Sequence, residues 1–375
     1  MHSIQMVDLK QQYTRIKREV DAGIQEVIDN TSFINGKAVS DFVVQLSNYM
    51  SCKYVVPCAN GTDALQIAMM ALDLQPGDEV ISPSFTYIAT TEVIALLKLK
   101  IVFVEVDAQT FCIDPGAIEK AITPKTKAII PVHLYGQAAN MEAIMEIARR
   151  HHLYVIEDNA QAIGSDYTFS DGTVKKTGTI GTIGTTSFFP SKNLGCFGDG
   201  GAIFTNDETL ATRLKLIANH GQSKRYYHDI IGCNSRLDSI QAAVLNVKLK
   251  YLDTYIKARR EVAFYYDKAF ADHPKIKTPY RAPYSNHVYH QYTLILTGVD
   301  RDGLNQFLAE NNIPSMIYYP VPAHRQKMFE KLGGKDYKLD VTDWLTQRVI
   351  SLPMHTELTT EQLKFITDTV LQYVN

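Results

Sequence analysis

The chain of 375 residues has few cysteines, and none of them form a pair with metal-ligand spacing. Its five cysteines are odd in number, lie far apart and include no C-x-x-C motif, so the sequence indicates neither a disulfide framework nor a zinc site. No apolar run approaches the length of a membrane span, and the first residues lack the apolar core of a secretory signal. We therefore expect a cytoplasmic protein with no metal and no membrane contact.

The chain also lacks an excess of charge of either sign. Its 38 Lys and Arg residues nearly balance 40 Asp and Glu residues, which gives a formal net charge of -2. No basic segment with interleaved aromatic residues is present, so the composition gives no reason to expect nucleic-acid binding. With 45% hydrophobic residues, the chain is long enough for a large core and, we expect, two domains.

From residue 54 onwards, short strand-like runs alternate with helical patterns. The runs at residues 54–58, 79–82, 100–106, 127–132 and 153–158 predict buried strands, and this alternation predicts an α/β fold whose mostly parallel sheet carries helices on both faces. A helical tract at 237–270 leads to a smaller α+β region, in which 314–319 is predicted as a strand. We expect an amino-terminal arm (1–30), a large domain (31–250) and a small carboxy-terminal domain (251–375).

A lysine, Lys192, lies between two β-prone runs in the segment TTSFFPSKNLGCFGDGGAIF. The first run breaks at Pro190 and the second begins at Ala202, which places Lys192 in the turn between two strands. Its neighbours are mostly apolar, small or turn-forming. Burial among such neighbours lowers the pKa of a lysine and favours the free amine that attacks carbonyl carbon. The alternative is an ordinary lysine on a surface loop.

An aspartate, Asp158, ends the apolar run LYVIED. This position is the carboxyl end of a buried strand, where open α/β sheets contact their ligands. A carboxylate at a strand end and a lysine in a strand turn are the pair that a pyridoxal phosphate enzyme requires. The lysine forms the Schiff base, and the aspartate keeps the pyridine nitrogen protonated. The alternative for Asp158 is a helix cap.

Two further motifs follow predicted strands. In CANGTDALQ, Gly61 and Thr62 open a helix, whose free amides and dipole favour a phosphate; a simple cap by Asn60 or Thr62 is the alternative. In PSFTY, either Phe85 or Tyr87 is placed to stack on a pyridine ring, with core packing as the alternative.

The second half of the chain carries two more motifs. In GCNSRLD, Asn234 and Arg236 are candidates for contact with anions. In YYPVPAH, Tyr319 and His324 offer a phenol and an imidazole, although a structured proline turn explains this motif equally well. His133, at the end of a predicted strand, receives no role.

Taken in order, the motifs VDLKQQY, NGTDAL, PSFTYIAT, EDNAQ, SFFPSKNLG, GCNSRLDSIQAA and SLPMH resemble the nucleotide-sugar aminotransferases of the DegT/StrS family, which depend on pyridoxal phosphate and have the fold-type I architecture. The resemblance implies a homodimer with shared active sites. It also implies these roles: Lys192 as the Schiff-base lysine, Asp158 as the pyridinium partner, Gln161 at the 3'-oxygen, Tyr87 as the stacking ring, Gly61, Thr62 and Ser187 at the phosphate, and Asn234 reaching that phosphate from the neighbouring subunit.

Within the family, the motifs are most similar to those of enzymes that aminate UDP-2-acetamido-2-deoxy-3-oxo-glucuronate. This similarity implies ping-pong transamination with glutamate as donor, in the biosynthesis of a surface polysaccharide such as lipopolysaccharide. Arg236, Tyr319 and His324 are then the candidates to contact the substrate. The alternatives are an aminotransferase for a dTDP-linked 3-keto or 4-keto-6-deoxyhexose, and a non-catalytic regulatory protein with the same fold. Residues 166–184 read as a loop that matches no motif of the family.

Overall fold

The computed structural model describes residues 3–375. Within them, strands and helices alternate as the sequence predicts. The strands are β1 (Tyr54–Cys58), β2 (Glu79–Pro83), β3 (Lys100–Val104), β4 (Thr126–Ile129), β5 (Tyr154–Asp158), β6 (Asp166–Thr168), β7 (Val174–Lys176), β8 (Ile183–Ser187), β9 (Gly201–Thr205), β10 (Gln222–Lys224), β11 (Tyr227–His228), β12 (Ile276–Lys277), β13 (Tyr292–Leu296) and β14 (Val349–Leu352). The α-helices are α1 (Leu9–Asp29), α2 (Lys37–Met50), α3 (Gly61–Ala71), α4 (Ala89–Leu96), α5 (Pro115–Ala121), α6 (Met141–His151), α7 (Glu208–Ala218), α8 (Ser239–Lys250), α9 (Leu252–Ala269), α10 (Arg301–Glu310), α11 (Asp340–Thr346) and α12 (Thr360–Val374).

A seven-stranded sheet in the order β1-β9-β8-β5-β4-β2-β3 forms the centre of the protein. Strands β3, β2, β4, β5 and β8 run parallel to their neighbours, whereas β9 runs antiparallel to both β8 and β1. The carboxyl ends of the five parallel strands therefore meet at one edge of the sheet. This mostly parallel sheet confirms the predicted fold class.

Successive residues of the sheet strands face two different cores, because side chains alternate along a strand. Ile81 and Val155 pack in one core with residues of α5 and α6. Their neighbours Val80 and Ile156 pack in the other core with residues of α3 and α7. Both faces of the sheet are thus covered by helices, and this explains why its strands read as continuous apolar runs.

The last third of the chain builds a second, three-stranded sheet. Strand β13 pairs antiparallel with both β12 and β14, and its apolar side chains pack with those of α9, α10 and α12 in a core of their own. At the other end of the chain, α1 packs on α8 through Ile16, Val20, Val244 and Val247. Our division of the chain at residues 30 and 250 stays a prediction.

Three local predictions differ from the structure. The strand predicted at 314–319 is wrong, since only Met316 forms a single antiparallel bridge, to Ser351; Pro314 and Pro320 lack the N–H groups that a longer ladder would need. The helical tract at 237–270 is two helices that meet at Tyr251. The supposed loop at 166–184 contains the antiparallel hairpin β6-β7. No helix within residues 3–375 is both long enough and apolar enough to cross a membrane.

Candidate active site

A cavity of about 800 Å³ lies at the edge where the parallel strands end. This is the edge at which open α/β sheets bind their ligands. The segments that follow β1, β2, β4, β5 and β8 supply most of its wall, and two segments from the carboxy-terminal part of the chain complete it. The lining residues are Asn60, Gly61, Thr62, Asp63, Leu65, Thr86, Tyr87, Ala89, Val132, Asp158, Ala160, Gln161, Ser187, Phe189, Ser191, Lys192, Asp199, His290, Gln291, Tyr318 and Tyr319.

Lys192 lies in the connection between β8 and β9, as predicted from the sequence, and lines the cavity. Its backbone N–H donates to the carbonyl of Phe189 at 2.8 Å, which closes the turn that carries it. Burial lowers the pKa of the Lys192 ammonium to about 8, while the nearby charge of Asp158 acts in the opposite direction. A substantial fraction of this amine is therefore neutral near physiological pH and available as a nucleophile or base.

Asp158 ends β5 with its carboxylate in the cavity wall, where it is only 6% exposed. Its Oδ2 accepts a hydrogen bond from Thr90 Oγ1 at 2.8 Å, and its Oδ1 accepts one from the backbone N–H of Ala160 at 3.1 Å. Two donors from different segments thus hold the two oxygens, so the carboxylate cannot turn freely. The cavity therefore contains a negative charge in a fixed position, close enough to act on the Lys192 ammonium.

The neighbouring carboxylate, Glu157, faces away from the cavity and is completely buried. It accepts hydrogen bonds from the backbone of Gly178, Ile180 and Gly181 at 2.6–2.8 Å, and His133 Nε2 lies 2.9 Å from its Oε2. The other ring nitrogen of His133 accepts a bond from a backbone N–H. Glu157 and His133 therefore stabilise the loop before β8, and of the two adjacent carboxylates only that of Asp158 is available to a ligand.

Helix α3 begins directly at the cavity and directs the free amides of its first turn into it. The Asn60 side chain caps this turn by accepting from the N–H of Asp63 at 2.8 Å. At Gly61, a Cβ atom would lie only 2.7 Å from the Cβ of Ser187. The helix therefore approaches the end of β8 as closely as glycine allows, and together with Thr62 these residues form a cradle suited to an anion.

The opposite part of the wall contains an amide and two phenols. Gln161 Oε1 accepts from the backbone N–H of Tyr135 at 2.8 Å, which leaves its Nε2 as a donor, 3.0 Å from the hydroxyl of Tyr319. Burial raises the pKa of Tyr319 well above its usual value, so this phenol stays neutral. Of the two aromatic candidates after β2, Phe85 is fully buried, whereas Tyr87 is 57% exposed and lines the cavity.

Three of the predicted site residues do not line the cavity of their own chain. His324 is 1% exposed, and its Nδ1 lies 2.7 Å from Ser84 Oγ. Its ring therefore packs behind the end of β2 and does not face the cavity. Arg236 donates from Nη1 to Asn219 Oδ1 at 3.1 Å, and Asn234 is exposed to solvent. Neither of these two residues is among those that line the cavity.

Several residues of the wall were not predicted from the sequence. Thr86 lines the cavity, and its place directly before Tyr87 in PSFTY was the available signal. His290 and Gln291 come from a segment more than 90 residues beyond the lysine, and nothing local marked them. His290 is 5% exposed, and its Nδ1 has no hydrogen-bond partner within residues 3–375. Burial, followed by the charges of Lys192 and Arg259, lowers its pKa well below the usual value, so the imidazole is neutral.

Residues 14–371 match the DegT/DnrJ/EryC1/StrS aminotransferase family. The UDP-2-acetamido-2-deoxy-3-oxo-D-glucuronate aminotransferase of Pseudomonas aeruginosa is 46% identical over 363 residues, which cover 97% of this chain and 98% of that protein. A pleiotropic regulatory protein of Geobacillus stearothermophilus is 44% identical over 375 residues, with 99% and 98% covered. Among solved structures, that of S. venezuelae DesV in complex with a ketimine intermediate has a TM-score of 0.95 at 37% identity and covers 100% of this chain and 99% of its own.

Proposed function

This chain belongs to the DegT/DnrJ/EryC1/StrS aminotransferase family, and we propose that it transfers the amino group of glutamate to C3 of a UDP-linked 3-oxo-hexuronate. The observation that carries the proposal is a single cavity that contains both Lys192, whose pKa is lowered, and Asp158, a buried carboxylate that accepts two hydrogen bonds. The product, a nucleotide-linked amino sugar, is a precursor for surface polysaccharide.

The cofactor is pyridoxal 5'-phosphate, and the cavity fits it. Because Asn60 caps the N–H of Asp63, the backbone amides of Gly61 and Thr62, close to Ser187, are the ones left to receive the phosphate. Asp158 holds the pyridine nitrogen in its protonated form. When bound, the cofactor supplies an electrophilic carbonyl carbon and a ring that withdraws electrons.

Further residues orient the cofactor. Gln161 offers its Nε2 donor to the 3'-oxygen, since its Oε1 is already bound to the backbone. Tyr87, exposed in the cavity wall, stacks on the ring. Lys192 anchors the cofactor covalently through its amine, whose neutral form is favoured by burial.

The reaction proceeds in two halves. In the first, glutamate gives up its amino group and leaves as 2-oxoglutarate; in the second, the keto-sugar receives that group. Lys192 takes a proton from the α-carbon of glutamate in the first half and delivers a proton to the aminated sugar carbon in the second.

Each active site is completed by a second copy of the chain. Asn234 and Arg236 lie outside the cavity of their own chain, although the segment that carries them is firmly attached, since Ser235 Oγ accepts from the N–H of Ala59 at 3.0 Å. Next to this segment, Tyr226 and Ile231 are 78% and 87% exposed, as expected for residues that a partner covers. In the homodimer, Asn234 reaches the partner's phosphate.

The sugar carries a carboxylate, which Arg236 from the second copy of the chain recognises together with Tyr319 of the cavity wall. A guanidinium holds a carboxylate through two parallel hydrogen bonds, and Tyr319 is a neutral phenol in the cavity wall. The similarity to the Pseudomonas enzyme supports this substrate. All five cysteines are free thiols, which fits a reducing compartment such as the cytoplasm.

Two alternatives remain open to test. A dTDP-linked 3-keto or 4-keto-6-deoxyhexose would use the same machinery but would not need Arg236 for a carboxylate. A purely regulatory role, suggested by the name of the Geobacillus relative, would not require a reactive lysine beside Asp158.

The test supplies the purified protein, loaded with pyridoxal phosphate, with ¹⁵N-labelled glutamate and a panel of UDP- and dTDP-linked keto-sugars. We expect ¹⁵N in the UDP-3-oxo-hexuronate product and one equivalent of 2-oxoglutarate, both absent with Lys192→Ala. Transfer only to dTDP-linked sugars would favour the first alternative, and no transfer to any sugar would favour the second.

A further inference from the structure

Thr90 joins helix α4 to the carboxylate at the end of β5. It is fully buried in the first turn of α4, and its hydroxyl donates to Asp158 Oδ2 at 2.8 Å. The hydrogen bond spans 68 residues of sequence. It is also the only side-chain donor to Asp158 in the part of the chain that the structure describes, since the second oxygen is held by a backbone N–H.

A second hydroxyl stands behind Thr90. Thr86 Oγ1 lies 3.2 Å from Thr90 Oγ1, and Thr86 lines the cavity. Because Thr90 has one hydroxyl proton and gives it to a carboxylate that only accepts, Thr86 must be the donor between the two threonines. The result is a directed chain from Thr86 through Thr90 to Asp158, in which each hydrogen bond polarises and strengthens the next.

We propose that Thr90 is a positioning residue for the amino transfer: its hydroxyl orients the carboxylate of Asp158 and disperses the negative charge that this carboxylate presents to the cavity. The proposal rests on the proposed function, because it is the cofactor's ring nitrogen toward which Asp158 must be held. A carboxylate that lost this donor would turn about its remaining bond to Ala160 and would concentrate its charge on the oxygen left free.

The next residue of the same helix turn provides a matched control. Thr91 is also fully buried, but its hydroxyl donates to the backbone carbonyl of Ile88 at 3.0 Å and does not contact Asp158. Replacing either threonine by valine removes one hydroxyl group from the first turn of α4 and leaves a side chain of almost the same size. A difference between the two variants therefore reports the bond to Asp158 and not the packing of the helix.

The experiment compares the wild-type holoenzyme with Thr90→Val, Thr90→Ser and Thr91→Val. A negative charge stabilises a nearby cation, as that of Asp158 does for the free ammonium of Lys192. The protonated imine that Lys192 forms with the cofactor is also a cation, so a more concentrated charge on Asp158 should shift the pH midpoint of the cofactor's visible absorption upward in Thr90→Val, by about 0.3 to 0.6 unit. We also expect kcat to fall roughly tenfold while KM for the sugar changes less than about threefold. Thr90→Ser and Thr91→Val should match the wild type in both measurements.

Thermal unfolding of each variant identifies loss of fold. If Thr90→Val does not fold, Thr90→Ala takes its place. A further variant, Thr86→Val, removes the outer donor of the chain. It should shift the pH midpoint of the visible absorption in the same direction, by a smaller amount. An unchanged midpoint and kcat in folded Thr90→Val, or equal changes in Thr91→Val, would overturn the proposal. Failure of the proposed function is a different result, because the wild type itself would then transfer no amino group.

Discussion

The rate at which Lys192 captures pyridoxal phosphate should depend on pH in a way that reports its burial. Burial lowers the pKa of this lysine from 10.5 to about 8. At pH 7 the neutral fraction of the amine is then about one tenth, compared with about three in ten thousand for an ordinary lysine. Since only the neutral amine attacks a carbonyl carbon, capture at pH 7 should be about 300-fold faster than by an equally accessible surface lysine.

The assay mixes cofactor-free protein with pyridoxal phosphate in a stopped-flow instrument and records the second-order rate at a series of pH values. We expect the rate to rise with pH and to level off above a midpoint near 8. Reduction with borohydride followed by peptide mapping should locate the cofactor on Lys192. Lys248 is the control: burial also lowers its pKa to about 8, but it does not line the cavity, so Lys248→Met should keep the wild-type midpoint.

Replacing Asp158 by asparagine tests the sign of the electrostatic effect. A negative charge near an ammonium stabilises the charged form, and the charge of Asp158 acts on Lys192 in this direction. Removing the Asp158 charge should therefore lower the pH midpoint of cofactor capture below that of the wild type, by about half a unit or more. Thr90 can still bond to the new amide, because its hydroxyl can rotate to accept as well as donate, so the fold should persist.

Three outcomes would contradict this reasoning. A wild-type midpoint near the ordinary lysine value would mean that the cavity does not desolvate Lys192. An upward shift in Asp158→Asn would mean that the carboxylate does not stabilise the ammonium. An adduct on a lysine other than Lys192 would remove the assignment of the cofactor-binding residue.

Three further predictions concern the dimer, the substrate and stability. Mixing inactive Lys192→Ala with inactive Asn234→Asp should restore about a quarter of the wild-type activity, because half of the randomly formed dimers contain one native site. Arg236→Lys should lower kcat/KM for the uronate about tenfold or more relative to a neutral 3-keto-sugar, since lysine offers no planar fork. Burial lowers the pKa of His287 to about 3 and that of His355 to about 4. Because the unfolded chain binds these protons from about pH 6.5 downward, the free energy of unfolding should fall between pH 6.5 and 4, by about 1.4 kcal/mol per pH unit for each histidine, and His287→Asn should reduce this slope.

Each of these measurements has its own control. For the dimer, purification through two different tags must first show that the subunits exchange. If they exchange and no activity is recovered, each chain builds its own site. Equal use of uronate and neutral sugars by the wild type would contradict the carboxylate proposal, whereas an equal loss for both sugars in Arg236→Lys would assign this residue to the diphosphate. For the histidines, denaturant titrations at each pH give the slope, and an unchanged slope in His287→Asn would show that its ring is already protonated in the folded state.

Local sequence determined which segments carry the chemistry. An apolar run that ends in Asp158 had to be a buried strand with a carboxylate at its end, because alternation and β-branched residues encode strands over a few residues. Likewise, Pro190 and the glycines before Ala202 placed Lys192 in the turn between two strands. Such features depend on neighbours in the chain, so they can be read without the fold, and the family motifs add to them.

Tertiary structure alone decided which of these segments meet. Thr90 donates a hydrogen bond to Asp158, 68 residues away in sequence. His290 lines the same cavity as Gly61 and Thr62, which follow β1. No local sequence pattern encodes such contacts. The fold also separated adjacent carboxylates, turning Glu157 into the core while Asp158 faces the cavity. The physical reason is that sequence periodicity specifies the two faces of each strand, whereas the order of the strands and the packing of the second sheet determine which side chains share one space.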